Sequence, residues 1–324
     1  MLHFKRPAAT SRGALTTRTT YIVEARSPLG VGFGECCTMP GLLPEPTEDE
    51  LTIACREMEK RGLKDGAAPY ASPVRFGIEC AVLNAVSGGG PIWDTPFTRG
   101  ERSIPIHHLI WMADADTMLH NMEEGIRRGF NCLKLKVGAL PWAQEVELLH
   151  NAHTAFPQAE IRVDANGAFS PAEAPAKLEA LAAAGVHLIE QPLAPLHLKE
   201  LTALCRETPL PIALDESLIQ YALHPEQRAE LLDIIRPQAI VIKPSLHGGL
   251  LAAEHWAHAA EQRGIAWWIN SALESNIGRT TLAEWCDYRA PGKLQGLGTG
   301  SLFEDDTPGR LRLRGNGLFY SRNA

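Results

Sequence analysis

From Ile104 onward the chain alternates between short apolar runs and longer stretches whose apolar residues recur every three or four positions. The runs are Ile104–Met112, Cys132–Val137, Ile161–Val163, His187–Ile189, Ile212–Leu214, Ala239–Ile242, Ala266–Ile269 and Leu294–Leu297. Runs this short read as strands buried on both faces, and the stretches between them read as helices. Trp142, Val146, Leu149, Ala152 and Phe156 form one apolar stripe at helical spacing. Ser170-Pro171-Ala172-Glu173 predicts a capping box with proline at the first helical position, and Gly185 stands where that helix should end. Strand and helix alternating eight times predict a parallel (β/α) barrel over residues 103–300.

Residues 1–102 lack that alternation and predict a separate α+β module. Thr16–Arg26 is rich in β-branched residues, Ser27-Pro28-Leu29-Gly30 is a turn signal, and Val31–Cys37 follows, which together predict a hairpin. Thr47 and Glu50 frame a capping box, and Val74–Val86 predicts a second helix that stops at Gly88-Gly89-Gly90-Pro91. Arg310–Tyr320 reads as two short strands around Gly315-Asn316-Gly317, and the expectation is that this tail (301–324) returns to the N-terminal module.

Composition narrows the function classes. A chain of 324 residues with 45% hydrophobic and 21% charged residues is an ordinary globular protein. The net charge of -7, without a concentrated basic stretch, argues against a nucleic-acid partner. No apolar run approaches the roughly 18 residues of a membrane span, and no apolar segment follows Lys5 and Arg6 as a secretory signal would require. The seven cysteines form no Cys-x-x-Cys pair, so buried, reduced thiols in a cytoplasmic protein are expected.

The candidate chemistry sits at the strand ends, where barrels of this kind place their active sites. Lys134 and Lys136 are two residues apart on one strand and share a face. Side by side in an apolar run, they predict a lowered pKa for at least one of them, and hence a usable base. The next strand carries Arg162, Asp164 and Asn166 on one face, and the following ones end in Glu190, Asp215 and Lys243. The intervals from 136 to 164, 190, 215 and 243 are 28, 26, 25 and 28 residues, one βα unit each, which places these residues at one height around a ring. Asp164, Glu190 and Asp215 would repel one another unless a cation lay among them, and an all-oxygen set favours Mg²⁺ first. A divalent ion flanked by Lys136 and Lys243 suits removal of a proton next to a carboxylate.

Lys-x-Lys, Asp-x-Asn, Glu-Gln-Pro, Asp-Glu-Ser and Lys-Pro in this order resemble the muconate-lactonizing subgroup of the enolase superfamily, across nearly the whole chain. The resemblance implies a (β/α)7β barrel covered by a cap built from both chain ends. Arg6–Gly13, Ile242–Gly249, Ser271–Gly278 and Gly296–Gly300 are most similar to the branch that dehydrates and aromatises a succinyl-hydroxycyclohexadiene carboxylate in menaquinone synthesis. By that resemblance Lys136 is the acid/base, Lys243 faces the enediolate, Lys134 helps position the carboxylate or depresses its neighbour's pKa, and Mg²⁺ (or Mn²⁺) is the cofactor. Arg162, Asn166, Ser271, Ser11 and Arg12 are the expected substrate contacts. His107-His108 replaces the Asn-Gly common in relatives, and a structural role with one ring inside the barrel and one outside is expected.

N-Acylamino-acid racemases and dipeptide epimerases would use the same ion and both lysines as bases. Epimerases carry an Asp-x-Asp pair at the last strand for the substrate amine, and Gly296-Leu297-Gly298-Thr299-Gly300 has no carboxylate. A barrel kept only for binding a metal or metabolite would not need to retain both lysines and all three carboxylates.

Overall fold

A computed structural model of the chain describes residues 1–10, 13–62, 70–138, 140–300 and 302–322. In the N-terminal part, β1 (Leu2–Thr10) pairs antiparallel with β2 (Gly13–Arg18), and β3 (Thr20–Ser27) pairs with β4 (Gly30–Cys37). The β-branched run starting at Thr16 is thus shared by two ladders, because the chain leaves the first sheet at Thr19. Helix α1 (Glu48–Arg61) starts at Thr47 with both bonds of its capping box formed. Helix α2 (Ser72–Val86) lies against β4 at backbone contact distance. A Cβ on Gly32 would sit 2.1 Å from Ala85 N, and one on Gly34 would sit 1.9 Å from Gly77 O, so only glycine permits this packing.

The first predicted barrel strand divides. Ile104–Pro105 forms β5, and β6 (His108–Ile110) alone enters the barrel. Then come α3 (Ala115–Arg127), β7 (Cys132–Lys136), α4 (Trp142–Ala155) and β8 (Glu160–Asp164). The next units are α5 (Ala174–Ala183), β9 (Leu188–Glu190), α6 (Leu198–Glu207) and β10 (Ile212–Leu214). A 3-10 turn at Glu216–Tyr221 leads to α7 (Pro225–Ile235), β11 (Ala239–Ile242), α8 (Leu250–Glu261), β12 (Ala266–Ile269) and α9 (Asn276–Arg289). Strands β6 to β12 lie in chain order in one parallel sheet.

The predicted eighth strand is reduced to a seam. Gln295 bridges to Ile106 and Gly296 to Asn270, and both bridges are parallel. His107 N donates to Gln295 O and Ser271 N to Gly296 O, which closes the sheet on itself. Outward strand residues such as Leu133, Leu135, Ile161, Ile240 and Ile242 pack under Leu149, Leu178, Leu232 and Trp256 of the helices. Inward residues Leu188, Ala213, Ala239, Val241 and Trp268 fill the barrel floor. This alternation is what aims Lys134, Arg162 and Asp164 at the axis.

Two terminal expectations change. The hairpin of β13 (Leu311–Arg314) and β14 (Gly317–Tyr320) pairs with β5, Leu318 opposite Ile104, and not with the N-terminal strands. The residues just before it do reach β1: Glu304 N donates to His3 O, and the rings of Phe4 and Phe303 are 4.7 Å apart. Helix α5 starts at Ala174, three residues past the predicted position. The Ser170–Glu173 bonds form, but they close a turn that precedes the helix.

The cap is fastened to the barrel by buried carboxylates set at helix starts. Glu35 of β4 accepts from Ser275 N at 2.9 Å, Ser275 Oγ at 2.6 Å and Gly278 N at 3.0 Å, at the start of α9. Glu79 of α2 accepts from Leu250 N at 2.5 Å, at the start of α8. Backbone N–H groups at a helix start lack intrahelical partners and carry partial positive charge, so a carboxylate satisfies both.

Candidate active site

Backbone register carries the side chains to one level. Lys136 lies opposite Asp164, and Asp164 opposite Glu190, across β7, β8 and β9. Lys134 Nζ is 2.5 Å from Glu190 Oε2 and 3.0 Å from Asp164 Oδ2. Lys136 Nζ donates to Asp164 Oδ2 at 2.6 Å and to Asn166 Oδ1 at 2.8 Å. On the far side Lys243 is paired with Asp215 Oδ2. Asn166 Nδ2 reaches Glu216 Oε1 at 2.9 Å, and its own backbone is left-handed at φ 47, a conformation Asn tolerates.

At Lys134 the electrostatics run against a lowered pKa. Burial opposes charge on Lys134, but Asp164 and Glu190 outweigh it and hold the ammonium above its ordinary value. Lys243 pushes the other way and is outweighed. Burial also opposes ionisation of Asp164, and Lys134, Lys136 and Lys243 nonetheless draw its carboxyl well below the usual range. Glu190, buried and beside Asp164, is pushed up to about 8.

Among the described residues no three acidic, His or Cys side chains are gathered tightly enough to hold an ion as they stand. The lysine amino groups are drawn in among the carboxylates there. The donor set still fits a hard divalent cation. It consists of carboxylate oxygens only, from three adjacent strand ends, and Glu190 Oε1 is buried without a hydrogen bond.

Above this layer is a cavity of about 220 Å³. Lys134, Lys136 and Lys243 form its floor, with Asn166, His107, Asn270, Ser271 and Thr299 around the wall. The cap contributes Ala8, Gly13, Leu15, Met39 and Leu42, and the barrel adds Leu109, Trp111, Leu246 and Leu273. No acidic side chain lines it among the described residues.

Several expected contacts fall differently. Arg162 points into the barrel but two residues deeper, where it pairs with Glu160 at 2.8 Å and lies 4.6 Å over the Trp268 ring, outside the cavity. Ser271 is in the wall, donating to Glu274 at 2.6 Å and accepting from Thr299 at 2.8 Å. Ser11 and Arg12 lie outside the described residues. Of the histidine pair, His107 lines the cavity and His108 packs outward, its ring 4.8 Å from that of Phe130.

Other residues at the site were not singled out from the sequence: Glu216, Asn270, Thr299 and His247. Glu216 follows Asp215 at its strand end. Period two places Asn270 at the end of β12, while His247 and Thr299 sit on loops and leave no periodic signal.

Comparison with known proteins follows the same lines. A family model described as "Enolase C-terminal domain-like" matches residues 117–286. The o-succinylbenzoate synthase of Desulfotalea psychrophila is 42% identical, over 99% of this chain and 97% of its own. That of Shigella sonnei is 27% identical, over 90% of this chain and 85% of its own. A crystal structure of MenC from D. psychrophila superposes with a TM-score of 0.83 at 36% identity, covering 98% of this chain and 97% of that one. The dipeptide epimerase of Enterococcus faecalis shares the fold, with a TM-score of 0.85 at 21% identity over 99% of this chain and 94% of its own. The chain belongs to the enolase superfamily and, within it, to the o-succinylbenzoate synthase family.

Proposed function

We propose that this chain is a lyase that removes water from 2-succinyl-6-hydroxy-2,4-cyclohexadiene-1-carboxylate to give 2-succinylbenzoate, a step of menaquinone biosynthesis. The observation that carries the reading is the cavity itself: three lysines under a wall of neutral side chains, many of them apolar, with no acidic side chain among the described residues facing in. That lining suits an apolar ring bearing carboxylates and opposes a substrate with a free ammonium group, as a dipeptide has.

Enolase-superfamily enzymes use a divalent metal, and here Asp164, Glu190 and Asp215 are the residues that would hold Mg²⁺, with Mn²⁺ as a substitute. An ion held there would supply positive charge against the substrate carboxylate. Lys136 takes that proton, and the C–H pair moves into the ring. The C–O bond to the ring hydroxyl breaks on the same face, and Lys136 returns the proton so that hydroxide leaves as water. Lys243, on the opposite side of the ring of strands, is fixed positive charge. Lys134, locked to Asp164 and Glu190, adds a second and orients both carboxylates. Asn166 holds Lys136 through its amide oxygen. Ser271 and Thr299 border the space for the succinyl part, and Ser11 and Arg12 complete the substrate contacts of this reading.

Ultraviolet absorbance tests it, because the product ring is aromatic and the substrate is not. Turnover of the diene with loss of water is expected. No change in absorbance, together with α-proton exchange of N-acyl amino acids from both faces, would replace the synthase reading with a racemase.

A further inference from the structure

The turn after β11 holds a histidine that the mechanism above does not use. Leu246 N and His247 N both donate to Lys243 O at 2.8 Å, which folds the chain back over the strand end. The His247 ring is fully buried there, and its Nδ1 accepts from Lys243 N at 3.0 Å. A backbone N–H can only donate, so Nδ1 is the bare nitrogen and the ring proton of neutral His247 sits on Nε2. That Nε2 has no hydrogen-bond partner among the described residues. It is 3.7 Å from Asp215 Oδ1, a fully buried oxygen that also lacks one. A donor and an acceptor, each buried and unsatisfied, face each other across a gap that a small rotation of Asp215 would close to the usual distance of about 2.9 Å.

We propose that His247 is a positioning residue for the metal site: Nε2–H donates to Asp215 Oδ1 and thereby fixes the rotation of the carboxylate that would face the divalent ion. The inference rests on the reading that Asp215 holds that ion. The same ring is tied through Nδ1 to the backbone of Lys243, so one imidazole sets both the carboxylate and the strand end that bears the opposing lysine. Carboxylates that bind metals are commonly oriented through such outer hydrogen bonds. The sequence signal is a histidine four residues after the Lys-Pro lysine, within reach of its own strand end.

Two substitutions separate the two nitrogens. In His247→Asn the amide oxygen falls near the place of Nδ1 and keeps the bond from Lys243 N, but nothing reaches Asp215. In His247→Gln the longer amide carries an N–H to about the place of Nε2, while the bond to Lys243 N is given up. Mn²⁺ titration of the metal-free full chain, read by the electron paramagnetic resonance signal of free Mn²⁺, reports binding without turnover. We expect His247→Asn to weaken Mn²⁺ about 10–100-fold and His247→Gln to stay within about threefold of the parent. Melting of the metal-free proteins checks that His247→Asn is folded. In an Asp215→Asn background, His247→Asn should cost nothing further. Wild-type Mn²⁺ affinity in His247→Asn, or equal weakening in both variants, would overturn the proposal. Failure of the parent chain to bind Mn²⁺ would instead overturn the metal reading on which it rests.

Discussion

Replacing Glu35 by Gln tests whether buried carboxylates hold the cap on the barrel. Glu35 is fully buried and accepts four hydrogen bonds, from Thr20 Oγ1, Ser275 N, Ser275 Oγ and Gly278 N. Gln has nearly the same shape, so packing is kept and only the acceptor count and the charge change. If the amide nitrogen replaces Oε2, the Ser275 hydroxyl can turn to accept from it, but Gly278 N–H then faces a second donor. One charge-assisted bond worth roughly 1.5–3 kcal/mol is lost, and the favourable charge at the start of α9 adds about 1 kcal/mol. The total is about 3 kcal/mol. With an unfolding entropy near 2 cal/mol/K per residue, the melting temperature should fall by about 4 °C. Differential scanning calorimetry measures this directly, and a Ser275→Ala partner closes a double-mutant cycle. Strictly additive effects, or a Glu35→Gln protein melting within about 1 °C of the parent, would refute the latch.

Four further outcomes are expected. Lys136→Ala and Lys243→Ala should each lose at least about a hundredfold in turnover, while only Lys136→Ala should abolish α-proton exchange with deuterated solvent on a non-eliminating analogue. Chelation should remove activity and Mg²⁺ or Mn²⁺ restore it, and Asp164→Asn should not be rescued by either ion; full activity after exhaustive chelation would contradict the metal assignment. Burial pushes Glu284 up to about 7, so the fold favours its protonated form. Its contribution to stability is therefore complete below the ordinary carboxylate range and is lost as pH rises through about 7; Glu284→Gln should flatten the stability profile over that window in urea titrations, and an unchanged slope would count against it. Arg162→Lys should reduce stability more than it alters KM, because the guanidinium stacks on Trp268 below the cavity; the comparison of melting temperature with KM decides.

Much of this site was legible because barrel strands obey a fixed period. The intervals between Lys136, Asp164, Glu190, Asp215 and Lys243 are βα units, and the register that pairs Lys136 with Asp164 and Asp164 with Glu190 follows from them. What period could not show is depth. Arg162 shares a face with Asp164 yet lies one layer lower, and the sequence holds no marker for which inward residue meets the floor. A lowered pKa was expected for at least one of the two lysines, and at Lys134 the carboxylates approach to 2.5 and 3.0 Å and raise it instead. Ile104–Met112 was read as one strand because its apolar residues run on. Pro105 and the returning tail hairpin divide it, and that pairing joins positions more than two hundred residues apart. The latches at Glu35 and Glu79 were invisible for the same reason, since their partners lie at helix starts far along the chain.

The seam at Gln295 and Gly296 has a consequence for how the barrel breathes. The boundaries from β6 to β12 are ladders, whereas at the seam residues 295 and 296 are joined to the chain on either side by one isolated bridge each. Its amides should therefore exchange with deuterium sooner than those of β7 or β11, marking the line along which the cylinder opens. The same stretch borders the cavity through His107, Asn270, Ser271 and Gly296. A ligand seated there touches both lips of the line at once, so occupancy should slow exchange at Gln295 and Gly296 far more than at β7, and the barrel would be fully sealed only while it holds its substrate.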